Sequence, residues 1–217
     1  MELMVKVLIV DDHDLVRTGF KHILLDADGF DVVGEATSGE EAIEAVKRLT
    51  PDIVLMDVNM PGIGGIEATR KIRHLYPNVH VIAVTVHAST PFPEQLHDAG
   101  ALGYISKGTP SEELLQAIKI VASGKPYISS NVSQKMTLAK LSGTDPAAPF
   151  EVLSQREMQI LLMVTQGQKT QEISDSLCLS PKTISTYRQR LYEKLNVEND
   201  VELTHLALRY GLIENNC

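Results

Sequence analysis

Ile53-Val54-Leu55-Met56-Asp57 decides how this chain folds. Four apolar residues in a row, closed by an acid, suit a strand covered on both faces; a half-exposed strand would alternate. Val5-Lys6-Val7-Leu8-Ile9-Val10 runs into Asp11-Asp12 in a similar way, and the apolar residues 79–86 contain Thr85. Val32-Val33-Gly34-Glu35-Ala36 and Gly103-Tyr104-Ile105-Ser106 are shorter runs of strand character. Helix-period segments separate them. Residues 15–25 set Val16, Phe20, Ile23 and Leu24 on one face, and residues 40–49, 66–75 and 112–122 are amphipathic too. Ser38 followed by Glu41 has the spacing of a capping box, and Pro51 and Pro77 stop helices. Five strands alternating with helices imply βαβ units and a parallel sheet. In such sheets functional groups gather outside the carboxyl ends of the strands.

Working outward, 217 residues allow one large or two small domains. With 43% hydrophobic and 22% charged residues, wholesale disorder is excluded. No apolar run approaches the roughly 20 residues that span a bilayer. The N-terminus enters a strand within a dozen residues and does not resemble a signal peptide. Cys178 and Cys217 cannot alone make a disulfide framework or a four-ligand zinc site. A cytoplasmic protein without a membrane anchor is expected. Met4, Met56 and Met163 are expected as core fillers.

The pattern changes after residue 123. Ser123-Gly124-Lys125-Pro126 breaks the preceding helix, a short helical stretch is expected over 130–140, and residues 142–149 have linker composition. From Leu153 the chain reads as helical. Ser154 and Glu157 form a second capping box before a helix ending at Gly167. A helix over 170–177 precedes Leu179-Ser180-Pro181, where Ser180 is placed to cap and Pro181 to open a helix to about residue 195. A last helix covers 201–210 and stops at Gly211. The expected domains are therefore 1–123 and 151–217, with a linker over 124–150.

Asp11, Asp12, Asp57, Thr85 and Lys107 all fall at strand carboxyl ends, which the parallel architecture brings together. Converging carboxylates repel each other, and a hard cation such as Mg²⁺ relieves this with oxygen ligands. A lysine and a hydroxyl beside a metal-bound carboxylate suit a phosphoryl group. Pro61-Gly62-Ile63-Gly64-Gly65 fits no nucleotide-binding fingerprint and reads as a flexible turn. His13, though next to the acid pair, is expected to face solvent.

Val10-Asp11-Asp12-His13, the segment from Leu55 to Gly62, Val84-Thr85 and Ser106-Lys107 together resemble a bacterial response-regulator receiver domain. The resemblance implies a flavodoxin-like, five-stranded sheet of order 2-1-3-4-5. It implies Asp57 as phosphoacceptor and Mg²⁺ on Asp12, Asp57 and the backbone carbonyl of Asn59, with Asp11 assisting through water. It also implies Thr85 and Lys107 on the phosphoryl oxygens and Tyr104 as the switch aromatic. Acceptance of a phosphoryl group and slow self-dephosphorylation are then the only chemistry expected. Receivers often carry proline after the lysine; this chain has Gly108, so no cis bond is expected there.

The net charge of −8 argues weakly against a general nucleic-acid coat, but binding depends on where charge sits. Residues 181–195 carry Lys182, Arg188, Arg190 and Lys194 against Glu193 alone. With Ile184, Leu191 and Leu195 turned to a core, Ser185, Thr186 and Gln189 point outward beside the cations. Polar side chains of this kind reach base edges, while lysine and arginine reach phosphates. Leu153-Ser154-Gln155-Arg156-Glu157, Glu172-Ile173-Ser174 and 179–185 resemble a four-helix, LuxR-type helix-turn-helix domain. This implies base contacts from Ser185, Thr186 and Gln189, and phosphate contacts from Lys182, Thr183, Tyr187, Arg188, Arg190 and Lys194. Val201, Leu206 and Tyr210 are dimer-interface candidates, for which a plain core role competes.

A receiver joined to such a module resembles the NarL/FixJ family. The segments 61–70, 85–87, 167–169 and 200–205 resemble its GacA/UvrY/LetA branch. That branch implies a hybrid sensor histidine kinase of the GacS/BarA/LetS kind as donor, double-stranded DNA as ligand, a homodimer when phosphorylated or DNA-bound, and promoters of small regulatory RNAs as targets. Three rivals are a metal-dependent phosphatase built on the acids, a C-terminal domain that binds protein instead of DNA, and a receiver active without phosphate, against which the intact acid, hydroxyl and lysine set argues.

Overall fold

The computed structural model describes residues 4–60, 62–85, 92–141, 149–150, 152–177, 179–210 and 212–213. Pro61, Val86, His87, Cys178, Gly211, Cys217 and the 142–148 part of the expected linker lie outside them. The described residues divide into two compact units, one running to Gln134 and the other from Lys135.

In the first unit, strands β1 (Val5–Val10), β2 (Phe30–Ala36), β3 (Ile53–Asp57), β4 (His80–Thr85), β5 (Gly103–Ser106) and β6 (Tyr127–Ile128) form one sheet of order β2-β1-β3-β4-β5-β6. Every pairing is parallel. The helices are α1 (Asp14–Leu25), α2 (Gly39–Leu49), α3 (Gly64–Leu75), α4 (Phe92–Asp98) and α5 (Ser111–Ala122). Successive strand residues point to opposite faces. Val7 and Ile9 therefore join a core with Phe20 and Leu24 of α1 and Leu114, Ile118 and Val121 of α5. Leu8 and Val10 join the opposite core with Ala42 and Val46 of α2 and Ala68 and Ile72 of α3. The unbroken apolar runs of β1 and β3 are the signature of these two covered faces.

The expected sheet had five strands; a sixth is present. Residues 127–128, read as linker, pair with Gly103 and Tyr104 of β5. Two residues are too few to show a period. Their pairing is fixed from outside, by Glu113 of α5, which accepts hydrogen bonds from the Tyr127 hydroxyl (3.1 Å), the Ser130 amide (2.8 Å) and the Ser130 hydroxyl (2.9 Å). Helix α6 (Ser130–Leu141) follows as expected.

The two expected capping boxes form to different extents. The capping box at Ser154 is complete in both directions. At Ser38 it is one-sided: Ser38 caps the Glu41 amide, while the Glu41 carboxylate turns to the Thr37 amide and hydroxyl. Met56 is core, but Met4 is 54% exposed, because it precedes the first sheet pairing, and Met163 is only half-buried.

The second unit holds α7 (Gln155–Thr165), α8 (Thr170–Leu177), α9 (Pro181–Leu195) and α10 (Asp200–Arg209). Its core includes Leu161, Ile173, Leu177, Ile184, Leu191 and Leu203. Gly167 ends α7 with φ +79°, the left-handed geometry that favours glycine. Among the described residues no helix is long and apolar enough to cross a membrane.

Candidate functional site

The register places the acids. Val10 pairs with Met56, so Asp11 and Asp57, one residue further along each strand, come side by side. Asp57 pairs with Val84 and Thr85 with Ser106, which brings β4 and β5 to the same end. Asp11, Asp57 and Thr85 are buried, each at most 1% exposed. Lys107 reaches in from the end of β5, its Nζ 2.7 Å from Asp11 Oδ2 and 3.0 Å from Asp57 Oδ2. Its backbone amide donates to the Thr85 carbonyl at 2.7 Å, which locks the two loops together.

Burial disfavours charge on Asp57; the Lys107 ammonium opposes this and the Asp11 carboxylate adds to it, with the net result that the carboxyl is pushed up to about 7. Burial likewise disfavours charge on Lys107, but the two carboxylates outweigh it and hold the ammonium above its ordinary range. The Asn59 amide donates to Asp57 Oδ1 at 3.3 Å. Tyr104 is buried in β5, and its backbone carbonyl accepts from the Ser129 amide at 3.0 Å, just beyond β6.

Two neighbours complete the site: His13, expected only to face solvent, and Arg17, which no sequence motif marks. His13 is 65% exposed, as expected, yet its Nδ1 lies 2.9 Å from Asp12 Oδ1 and 3.2 Å from Asp11 Oδ1, so it faces the acid pair. Arg17 donates to the Asp11 carbonyl at 2.8 Å and to Asp14 Oδ1 at 2.7 Å, with Glu35 Oε2 3.4 Å from its Nε. Asp14 is the first residue of α1, and His13 stands at the position before it. An i, i+3 acid–base pair on α1 was the only available sequence signal for Arg17.

Ligand atoms of Asp11, Asp12, His13 and Asp57 lie within 4.8 Å of one another, a set able to hold a metal ion. Three carboxylates against one ammonium leave excess negative charge, and an oxygen-rich donor set of that kind fits a hard divalent cation. The loop after β3 is closely packed. Gly65 donates to the Val58 carbonyl at 3.1 Å, and a Cβ at this glycine would stand 1.9 Å from the Asp57 carbonyl oxygen. All peptide bonds of the described residues are trans, that of Lys107 and Gly108 included.

In the second unit, the Ser180 hydroxyl caps α9 by accepting from the Thr183 amide at 3.1 Å, with Pro181 opening the helix. The Ser174 hydroxyl donates to the Leu179 carbonyl at 2.5 Å and ties α8 to the turn. Ile184, Leu191 and Leu195 face the core. Lys182, Ser185, Thr186, Gln189 and Arg190 are exposed, while Thr183 and Tyr187 are half-buried. The Arg190 guanidinium lies 5.9 Å from the Tyr187 ring centre.

Two of the cations assigned to phosphates are engaged within the unit. Arg188 donates to the Thr170 hydroxyl at 2.9 Å and pairs with Asp200. Lys194 donates to Glu157 Oε2 at 2.7 Å and to the Val152 carbonyl at 3.0 Å. Charge counting along the helix missed this because the partners come from other helices. Of the dimer candidates, Val201 is 65% exposed, Leu206 is half-buried, and Tyr210 packs edge-on against Phe150.

Comparison with known proteins follows the same division. The response regulator receiver domain matches residues 7–119, and the luxR family of bacterial regulatory proteins matches residues 151–207. The chain is 53% identical over 211 residues to the response regulator GacA of Pseudomonas syringae pv. syringae (strain B728a), covering 97% of this chain and 99% of that protein. It is 51% identical over 209 residues to UvrY of Escherichia coli (strain K12), covering 96% of each. A solved LuxR-family response regulator from Aurantimonas sp. SI85-9A1 superposes with a TM-score of 0.60 at 36% identity, over 64% of this chain and 99% of that one. A solved RcsB–DNA complex superposes at 0.58 and 26% identity, over 94% and 97%.

Proposed function

The chain belongs to the response regulators that join a receiver domain to a LuxR-type DNA-binding domain, and on that premise we propose that Asp57 accepts a phosphoryl group and thereby controls duplex binding through α9. The observation that carries this reading is the position of the Lys107 ammonium, within 3.0 Å of both buried carboxylates.

An Asp57 oxygen attacks the phosphorus of a phosphohistidine on the donor. The new P–O bond forms as the P–N bond breaks, and the leaving imidazole takes up a proton. Asp12, Asp57 and the Asn59 carbonyl, with Asp11 assisting through water, would hold Mg²⁺, which when bound neutralises charge on the phosphoryl oxygens. Lys107 and the Thr85 hydroxyl hold the phosphoryl group once it is on Asp57. Its charge and acceptor oxygens draw Thr85 inward, Tyr104 follows, and the surface of α4, β5 and α5 changes. The DNA-binding unit is released and dimers form on paired half-sites, with Val201, Leu206 and Tyr210 of α10 at the interface. Because both events bias one equilibrium, DNA and phosphorylation strengthen each other.

On α9, Ser185, Thr186 and Gln189 read bases, and Lys182, Thr183, Tyr187 and Arg190 hold phosphates. The similarity to GacA and UvrY supports a cytoplasmic transcription regulator served by a hybrid sensor kinase and acting on small regulatory RNA genes. The acids accept one phosphoryl group and lose it slowly, without turning over a substrate.

The test is intact mass after incubation with a small acyl phosphate, with and without Mg²⁺. A Mg²⁺-dependent gain of about 80 Da that Asp57→Asn abolishes is expected, together with tighter duplex binding by the modified form. A gain that persists in Asp57→Asn would refute the assignment.

A further inference from the structure

We infer that Arg188 is a positioning residue of the recognition helix, acting through Asp200 and Thr170, and not one of its phosphate contacts. The inference rests on the DNA-binding reading of α9 given above. Arginine presents its donors in a rigid planar fork, so one side chain can fix two partners at a set angle. Here Nη1 donates to the Thr170 hydroxyl at 2.9 Å, and Nη2 pairs with Asp200 and lies 3.5 Å from the Tyr192 hydroxyl. The Tyr192 hydroxyl in turn donates to the other Asp200 oxygen at 2.5 Å. Thr170 and Asp200 are the first residues of α8 and α10. A side chain from the middle of α9 therefore holds the starts of both neighbouring helices.

The geometry leaves little for a phosphate. The Arg188 side chain is only 21% exposed. Turning its fork outward would give up the Thr170 contact and leave the Asp200 carboxylate, itself 42% exposed, with the Tyr192 hydroxyl alone. Lys194 is also held, by Glu157 and the Val152 carbonyl, but its side chain stays 40% exposed. Lys182 and Arg190 are the exposed cations of α9 that remain. Arg188 therefore sets the angle of the helix, and the exposed Lys182 and Arg190 are left to meet the phosphate backbone.

Each neutralised phosphate contributes about 0.9 to the slope of log affinity against log salt. The experiment measures the full chain, treated with acyl phosphate and Mg²⁺, on a random-sequence duplex and on the duplex that wild-type protein enriches from a randomised pool. Lys182→Ala and Arg190→Ala should each flatten the slope by about 0.9 per protomer bound. Arg188→Met and Asp200→Asn should leave the slope unchanged and each lower the enriched-to-random affinity ratio by about tenfold. Their double variant should lose no more than either single one, because both remove the same contact. Thermal melting by circular dichroism identifies any variant that fails to fold, and Asp200→Asn, which keeps the arginine, carries the test if Arg188→Met is such a variant.

A slope reduced by about one unit in Arg188→Met, with tighter binding by Asp200→Asn, overturns the inference and makes Arg188 a phosphate contact. An unchanged ratio in both variants overturns it as well. Wild-type protein without salt-dependent duplex binding would instead remove the DNA-binding reading itself, and the inference with it.

Discussion

Arg17 donates from Nη1 to the backbone carbonyl of Asp11 at 2.8 Å, so the first helix grips the loop that carries the acid pair. The same guanidinium contacts Asp14 and lies near Glu35, and its side chain is only 11% exposed. Arg17→Met should lower stability by about 2 kcal/mol, the order expected for lost hydrogen bonds to a charged donor. It should also weaken divalent-cation binding, since Asp11 and Asp12 lose their brace. Urea unfolding and calorimetric titration with Mg²⁺ measure the two effects separately.

Removing Lys107 should act on chemistry more than on folding. Without its ammonium, the buried Asp57 carboxyl loses the group that opposes desolvation and moves further up from about 7. Lys107→Ala should slow Mg²⁺-dependent phosphoryl uptake by about a hundredfold or more, as for other lost oxyanion donors. A time course of intact mass at fixed acyl phosphate concentration tests this; an unchanged rate would take Lys107 out of the reaction.

Gly65, in the first turn of α3, and Gly108, after β5, offer a sharp steric contrast. Gly65→Ala would drive a Cβ to 1.9 Å from the Asp57 carbonyl oxygen, whereas a Cβ at Gly108 meets nothing within 4 Å. Gly65→Ala should cost about 3 kcal/mol, and Gly108→Ala about 0.5 kcal/mol or less in either direction. Chemical denaturation of the two variants side by side decides it.

Glu157 ties the start of α7 to α9. Burial would raise its carboxyl, but hydrogen bonds from Lys194 and Ser154 outweigh burial and hold it below the ordinary value of 4.5. A carboxyl depressed by folding stabilises the native state above its unfolded value, and that stabilisation fades as protons bind the folded form. The second unit should therefore lose stability as pH falls below about 4.5, and Glu157→Gln should flatten that dependence. Urea midpoints across this range, followed by circular dichroism, provide the measurement.

Much of this was legible in the sequence, for identifiable reasons. β1 and β3 announce themselves because both faces are covered, and α9 because Ser180 and Pro181 mark its first turn. Asp11, Asp57, Thr85 and Lys107 converge because parallel strands end on one side. Most of what escaped depends on partners distant in the chain. β6 has two residues and exists through β5 and Glu113. Arg188 and Lys194 look like surface cations until Asp200 and Glu157 are brought to them. His13 reads as a loop residue, and only the turn into α1 reveals that it faces the acids.

The short sixth strand has one more effect. A parallel sheet that ended at β5 would expose a row of unpaired amides and carbonyls, a template on which another chain can add a strand. Tyr127 and Ile128 cover part of that row and present only two residues of their own. At the opposite edge, β2 carries the exposed charge of Asp31 and the Glu35 carboxylate, which pairs with Lys21. Crowded copies of this protein thus meet sheet borders that resist fibre-like stacking, and their encounters are left to side chains, which can part again.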